Sequence, residues 1–233
     1  MRVLALDTAT EACSAALLTD DGHLRRFKEV GRGHAEEILG MVDAILAEAG
    51  VALNMLDGIA ASVGPGSFTG IRICVSVAQG LAFGAGLPVI PVTTLEALAL
   101  QAMRGGAEHV MACLDARMGE VYWGCFSADA TRGVVARGPM AVGVAASVSA
   151  PFDGPFQGIG RGFAAYPDLQ ALPGLTLQPE GRNALPDALD MARLGAIRFA
   201  AGEGLDAAEL VPMYVRDKVA LTEVEREAAR ARA

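Results

Sequence analysis

The stretch Gly64-Pro65-Gly66-Ser67-Phe68-Thr69-Gly70 decides how this chain folds. Strand-like residues 58–63 precede it, and an apolar run with the character of a helix, 71–84, follows it. Three glycines in seven residues let the backbone turn sharply and approach another surface closely. Two hydroxyl residues are candidates for the helix N-cap. The predicted loop residues are Gly64, Gly66, Ser67 and Thr69.

A glycine-rich loop at a helix N-terminus can bind an anion, because backbone N–H groups and the helix dipole converge there. This loop is not a P-loop, since no lysine follows its last glycine, and its glycine spacing differs from the dinucleotide-binding fingerprint. Ser67 does not lie in the G-x-S-x-G turn of hydrolases either, so it is better interpreted as a capping hydroxyl.

The composition limits the classes of protein to consider. The chain has 233 residues, 52% of them hydrophobic, which is enough for one large domain or two small lobes with a core. Its formal net charge of −8 argues against nucleic-acid binding by this chain alone, because phosphate contact needs clustered basic residues. Arg226, Arg230 and Arg232 in the tail either lie on a solvated helix, which we favour, or contact RNA.

A cytoplasmic protein without a membrane segment is expected. The most apolar window, 74–92, contains three glycines and two prolines, and it predicts a helix, a turn and a strand better than a membrane span. The first strand reaches Asp7 too early for a signal peptide. The cysteines show no CxxC pairing and are expected to be buried thiols in a reducing compartment. They are Cys13, Cys74, Cys113 and Cys125.

The chain contains two units that open alike, each with a strand ending in aspartate, a turn and a second strand. An amphipathic helix is predicted over 34–49, and Arg104-Gly105-Gly106 is the best candidate boundary. We therefore expect an α/β fold with duplicated lobes, an N-terminal one over 1–103 and a C-terminal one over 104–233. The terminal helix could pack back on the first lobe.

Two carboxylates end strands beside small polar residues: Asp7, followed by Thr8 and Thr10, and Asp115. A carboxylate in such a turn can hold a hydrated Mg²⁺ and contact a phosphate. Two of them facing across a cleft would clamp ATP, as in actin-like ATPases and sugar kinases. Alternatively, each carboxylate caps its own turn through Asx-type hydrogen bonds, which spacing alone slightly favours. If the two carboxylates do clamp ATP, the protein is a nucleotide-dependent kinase or ATPase, which we keep as the alternative to the function that the family resemblance below implies.

Hydrolytic chemistry finds no support in the motifs. His34-Ala35-Glu36-Glu37-Ile38 resembles a zinc helix only superficially, because HExxH needs a second histidine on the same face. No nucleophile–base pair is apparent, so a peptidase is not expected.

The helix after the loop is apolar around most of its circumference, so it must be covered on more than one side. Burial within this chain and cover by a second protein remain open as explanations. Small residues at Gly70, Ala78 and Ala82 would allow another helix to approach closely. The expected partner-binding residues are Ile38, Met41, Ile45, Gly70, Ile73, Cys74, Val77, Ala78 and Leu81.

Six segments together resemble the TsaB family of bacterial proteins, which are needed to make threonylcarbamoyladenosine in tRNA. They are 4–10 (LALDTAT), 34–36 (HAE), 64–72 (GPGSFTGIR), 91–98 (PVTTLEAL), 115–122 (DARMGEVY) and 212–216 (PMYVR). The resemblance implies a two-lobed actin-like ATPase (ribonuclease H-like) fold and kinship with TsaD, the transferase subunit.

The resemblance also implies a role. It points to a non-catalytic scaffold or activator that forms a heterodimer with TsaD through the two helices of the first lobe, and a homodimer through the same surface. With TsaD and the ATPase TsaE, it would serve the transfer of a threonylcarbamoyl group onto the adenosine beside the anticodon. It would meet tRNA only through that complex.

The resemblance also implies that the metal ligands of TsaD are absent from this sequence. In TsaD an HxxxH motif holds the catalytic metal, and those positions fall at Thr94 and Leu98 here, so no metal is expected. Glu11 places a carboxylate where an ATP phosphate would sit. The resemblance therefore implies no cofactor beyond weak or vestigial ATP or ADP binding at Asp7, Thr8, Thr10 and Asp115.

Overall fold

The computed structural model describes residues 1–216, which form two β-sheets with helices between and around them. The first half of the chain contains β1 (Val3–Asp7), β2 (Ala12–Thr19), β3 (Gly22–Glu29), α1 (His34–Ala49), β4 (Gly58–Ser62), α2 (Phe68–Ala85), β5 (Val89–Val92) and α3 (Thr94–Arg104). The second half contains β6 (His109–Arg117), β7 (Glu120–Asp129), β8 (Gly133–Ala136), β9 (Ala141–Val144), β10 (Phe156–Ile159), α4 (Gly162–Ala165), β11 (Leu175–Leu177) and α5 (Ala188–Ala200).

The two sheets repeat one topology. The first has the order β3-β2-β1-β4-β5, and the second has the order β8-β7-β6-β10-β11, with β9 also paired to β7. In both, the first three strands are antiparallel and the last two join in parallel. The duplicated α/β architecture expected from the sequence is therefore confirmed.

Three apolar cores hold these layers together. α1 and α2 cover one face of the first sheet. α3 and α5 lie between the two sheets and share a core with both. A third core, around Phe163 and Phe156, covers the far face of the second sheet. The division between the lobes at residue 103 stays a prediction. α5 lies after residue 103 in the chain, yet it packs against β1, β2 and β4 of the first sheet.

Local signals place most helix ends correctly. Gly50 ends α1 with φ of 65°, the left-handed conformation that favours glycine. The capping box of Thr93 and Glu96 begins α3. Of the two candidate caps before α2, Ser67 takes the role and accepts a hydrogen bond from the N–H of Gly70, so Thr69 lies inside the first turn.

In the second half of the chain, β8 ends at Ala136, and β9 begins after a break at Ala141. The window 74–92 is a helix, a turn and a strand, as predicted. Within the described residues, α2 alone is long and apolar enough to cross a membrane; a third of that stretch is buried, and a core helix meets the same criterion. The predicted tail helix lies mostly beyond residue 216, outside the described residues.

Candidate functional site

The glycine-rich loop packs directly on the turn between β1 and β2. A Cβ atom added to Gly66 would lie 2.1 Å from the carbonyl oxygen of Ala9, and one added to Gly70 would lie 2.1 Å from that of Thr8. The Ser67 N–H donates to the Ala9 carbonyl at 2.7 Å, and the Thr8 hydroxyl donates to the Gly70 carbonyl at 2.7 Å. The loop needs glycine because two backbones touch here, as its composition predicted.

A cleft of about 630 Å³ opens between the two halves of the molecule, beside this loop. Residues from both halves line it, including Thr10, Glu11, Ser67, Asp115, Arg117 and Arg161. Asp115 accepts a hydrogen bond from the Arg117 N–H at 2.8 Å and one from the Tyr166 hydroxyl at 3.1 Å. The His34 ring, through Nε2, contacts the Thr10 carbonyl at 2.8 Å and so steadies the turn at the cleft edge.

Charged residues in the cleft are already paired with each other. Glu11 lies there, as expected, and its carboxylate contacts the Arg117 guanidinium at 2.6 Å across the two halves. Arg117 also contacts Asp115 at 3.0 Å, and Arg161 contacts Glu29 at 2.6 Å. Each of these arginines therefore meets a carboxylate of this chain where a phosphate group would otherwise be attracted.

Asp7 does not reach this cleft, which corrects the predicted nucleotide clamp. Its side chain is fully buried, and Oδ1 accepts a hydrogen bond from the Ala9 N–H at 2.9 Å. Burial is the main reason that the pKa of Asp7 rises to about 7; the charge of Asp187 raises it further, while the hydrogen bond from Ala9 and the nearby polar side chain of Ser62 oppose the rise. The Asx-type interpretation holds for both carboxylates, since Asp115 caps its own turn in the same way.

The two threonines predicted to contact a nucleotide lie in different environments. Thr8 is buried and bonded to the α2 backbone, whereas Thr10 lines the cleft and its hydroxyl accepts from the Ala12 N–H at 3.1 Å. Two of the four predicted residues, Thr10 and Asp115, thus line the cleft, whereas Asp7 and Thr8 are buried and do not line it.

At the positions that correspond to the TsaD metal ligands, the side chains make structural contacts within this chain. The Thr94 hydroxyl donates to the Pro65 carbonyl at 2.6 Å, and the Leu98 side chain is fully buried in the core between the sheets. Neither side chain resembles an imidazole ligand, so these residues do not fit that metal site. The four cysteines are buried free thiols, as expected, and burial raises the pKa of Cys13 and Cys125 to about 11.

The structure narrows the expected partner surface. Ile38, Ile45, Gly70, Cys74 and Ala78 are buried in the chain's own core, so they cannot contact a partner in this conformation. This corrects five of the nine predicted residues. Met41, Ile73, Val77 and Leu81 are half-buried, at the boundary with solvent, and their role in partner binding stays a prediction.

The small residues that face outward are different from those predicted. Ala78 and Ala82 point into the core, as does Gly70. The exposed ones are Ser76, Gly80 and Gly84, spaced four residues apart along α2, and a Cβ atom added to either glycine would meet nothing within 4 Å. We call the surface of Ile73, Ser76, Val77, Gly80, Leu81 and Gly84 the outer face of α2. The four-residue spacing was visible in the sequence, but which side faced solvent was not.

Comparisons with known proteins agree with this architecture. The family model described as TsaD, tRNA N6-adenosine threonylcarbamoyltransferase, matches residues 28–159. A solved structure described as YeaZ from Pseudomonas aeruginosa superimposes with a TM-score of 0.85 at 42% identity, covering 91% of this chain and 99% of that one. A second Pseudomonas aeruginosa structure, described as similar to the peptidase YeaZ, gives 0.86 at 42% identity, with coverage of 92% and 99%. The fold and the cleft thus define a two-lobed actin-like protein of the TsaD type.

Sequence relatives narrow this class further. The Escherichia coli protein named tRNA threonylcarbamoyladenosine biosynthesis protein TsaB is 41% identical over 224 residues, 94% of this chain and 96% of the relative. The Haemophilus influenzae protein of the same name is 39% identical over 233 residues, covering 94% and 95%. This chain belongs to the TsaB family.

Proposed function

We propose that this chain is an accessory subunit in the biosynthesis of threonylcarbamoyladenosine in tRNA, and that it acts as a non-catalytic scaffold or activator of a TsaD-type transferase. The names of its TsaB relatives support the pathway. The side chains at positions 94 and 98 support the non-catalytic role. The related transferase needs metal ligands at these positions, whereas Thr94 bonds to the backbone here and Leu98 is buried in the core.

The observation that carries the pairing is the outer face of α2. Within the described residues, Ile73, Val77 and Leu81 are only half-buried, and Phe83 at the end of the same helix is 84% exposed. A contiguous apolar surface flanked by exposed small residues is suited to a second helix that packs closely. We propose that a TsaD-type subunit docks there, and that a second copy of the chain docks there in its absence.

The wider assembly follows from the same proposal. TsaE would join the complex, tRNA would meet this chain only through it, and the work would take place in the cytoplasm. The alternative of a nucleotide-dependent kinase or ATPase is less favoured, because its key carboxylate, Asp7, is buried away from the cleft.

Co-purification with the TsaD of the same cell tests the proposal, with tRNA modification as the readout. Wild-type protein is expected to form a heterodimer and to modify nothing when alone. Val77→Glu should abolish pairing while the monomer stays folded, and Ala200→Glu, on the exposed end of α5, is the matched control that should pair normally. Modification by the isolated chain, or normal pairing of Val77→Glu, would refute the proposal.

A further inference from the structure

Arg72 lies at the N-terminal end of the outer face of α2, one turn before Ser76. Its guanidinium carbon lies 3.7 Å from the centroid of the Phe68 ring and 5.9 Å from that of Tyr214. Its Nε–H donates to the Tyr214 hydroxyl at 2.9 Å. The side chain is therefore held in one position before any partner arrives, which lowers the entropy cost of using it in an interface.

The two aromatic residues that hold Arg72 come from different parts of the chain. Phe68 begins α2 and is 50% exposed, whereas Tyr214 lies in the segment after α5 and is 46% exposed. Exposed arginine, tyrosine and phenylalanine side chains in one cluster have the composition of an interface hot spot. The cluster is continuous with the outer face of α2, so one docking subunit would cover both.

No carboxylate of residues 1–216 pairs with the positive charge of Arg72. Within residues 1–216 its contacts are two aromatic rings and a hydroxyl, in contrast to Arg117 and Arg161, which meet glutamates in the cleft. An interface that covers Arg72 without supplying a carboxylate would bury an unpaired cation, which is costly. The partner that fits must bring a carboxylate to this end of α2.

A second copy of the chain does not offer that group from the corresponding helix. The sequence of α2, FTGIRICVSVAQGLAFGA, contains no acidic residue. On α1, Glu37 and Glu48 already pair with Lys28 and Arg26. Of the acidic residues on α1, Glu36 and Asp43 remain to supply a carboxylate from a second copy.

We propose that Arg72 determines the specificity of this surface: it selects a TsaD-type subunit whose docking helix presents a carboxylate, and it disfavours a second copy of the chain. Phe68 and Tyr214 act as positioning residues for its guanidinium. The inference rests on the proposed function and adds the chemistry by which one partner is chosen over the other.

The test compares two dissociation constants for Arg72→Met, which keeps the length and apolar stem but removes the charge. Heterodimer formation with the cell's TsaD should weaken about thirtyfold or more, because a paired and desolvated charge is lost. Homodimer formation should be unchanged or tighter. The heterodimer of the variant should also lose much of its salt dependence, which a purely structural role for Arg72 would not alter. Tyr214→Phe, which removes only the hydroxyl that accepts from Arg72, should give a smaller loss in the heterodimer alone.

Three results would overturn the inference: equal weakening of both dimers by Arg72→Met, an unchanged heterodimer of Arg72→Met, or a folded Tyr214→Phe variant that binds TsaD as tightly as wild type. The double variant Glu36→Gln/Asp43→Asn should leave the homodimer intact; if both this variant and Arg72→Met weaken the homodimer, the carboxylate comes from a second copy and the inference is wrong. A wild-type chain that binds no TsaD refutes the proposed function itself, whereas normal binding by Arg72→Met refutes only the role of Arg72.

Discussion

Replacement of Asp7 by asparagine should stabilise the protein, and more so as the pH rises. The carboxyl is fully buried, and both its Oδ2 atom and the Oγ atom of Ser62 lack a hydrogen-bond partner within the described residues. A pKa raised from 3.8 to about 7 means that ionising Asp7 costs about 4 kcal/mol more in the folded protein than in the unfolded chain. Asparagine has the same shape and stays neutral, so it avoids that cost.

The direction of the pH dependence follows from the raised pKa. Below about pH 4 the Asp7 carboxyl is protonated in both states and makes no difference to stability. Between about pH 4 and 7 the unfolded chain releases the proton while the folded protein keeps it, so the free energy of unfolding falls by about 1.4 kcal/mol per pH unit at this group. Above pH 7 the full loss of about 4 kcal/mol is reached.

Urea unfolding at several pH values between 4 and 8 measures the effect. The advantage of Asp7→Asn over wild type should be near zero at pH 4 and grow to a few kcal/mol at pH 8. Asp43→Asn, at an exposed position on α1, is the control and should show no such growth. An advantage that does not vary with pH, or an asparagine variant less stable than wild type at pH 8, would show that the buried carboxyl is ionised and paired.

Three further outcomes are expected. Gly80→Gln should raise the free energy of unfolding of the monomer by somewhat under 1 kcal/mol, because glycine is a poor helix former, yet weaken docking on the outer face of α2 about tenfold; thermal unfolding and sedimentation measure the two effects. Leu98→Ala should lower the free energy of unfolding by about 2–5 kcal/mol in urea titrations, because it leaves a cavity between the sheets. Glu11→Gln should remove one of the two carboxylates that pair with Arg117 and so raise the affinity of the cleft for Mg-ATP, measured by calorimetry.

Each of these outcomes has a clear opposite. Tight docking by Gly80→Gln would mean that no helix approaches that glycine. A Leu98→Ala variant as stable as wild type would mean that the core between the sheets is loosely packed. Unchanged nucleotide affinity in Glu11→Gln would mean that the Glu11 carboxylate does not weaken the binding of Mg-ATP in the cleft.

The sequence predicts elements well where one signal dominates. The apolar spacing and Gly50 define α1 to the residue, and the capping box gives the start of α3. The sequence leaves the start of α2 open, because Ser67 and Thr69 are both good caps in isolation; in the structure Ser67 caps the helix, and Gly70 packs against Thr8. The duplicated topology also follows from sequence, since both halves open with the same strand–Asp–strand pattern.

The functional surfaces were harder to predict for a physical reason. A helix that is apolar on nearly all sides has no periodic signal that distinguishes its inner from its outer face, so Cys74 and Ala78 were placed on the wrong side of α2. The burial of Asp7 depends on contacts between residues distant in the chain, notably the loop that packs over its turn. The Arg72 cluster needs Tyr214, which lies 142 residues away in sequence.

The contact between the glycine-rich loop and the β1–β2 turn has a mechanical consequence. Backbone touches backbone at Gly66 and Gly70, with no side chain between them that could change rotamer and absorb a displacement. The first turn of α2 and the strand connection that carries Thr10 and Glu11 must therefore move as one rigid unit. A subunit that tilts α2 from outside would shift one wall of the cleft by a similar amount, so occupancy at the surface and the width of the interior gap are geometrically linked.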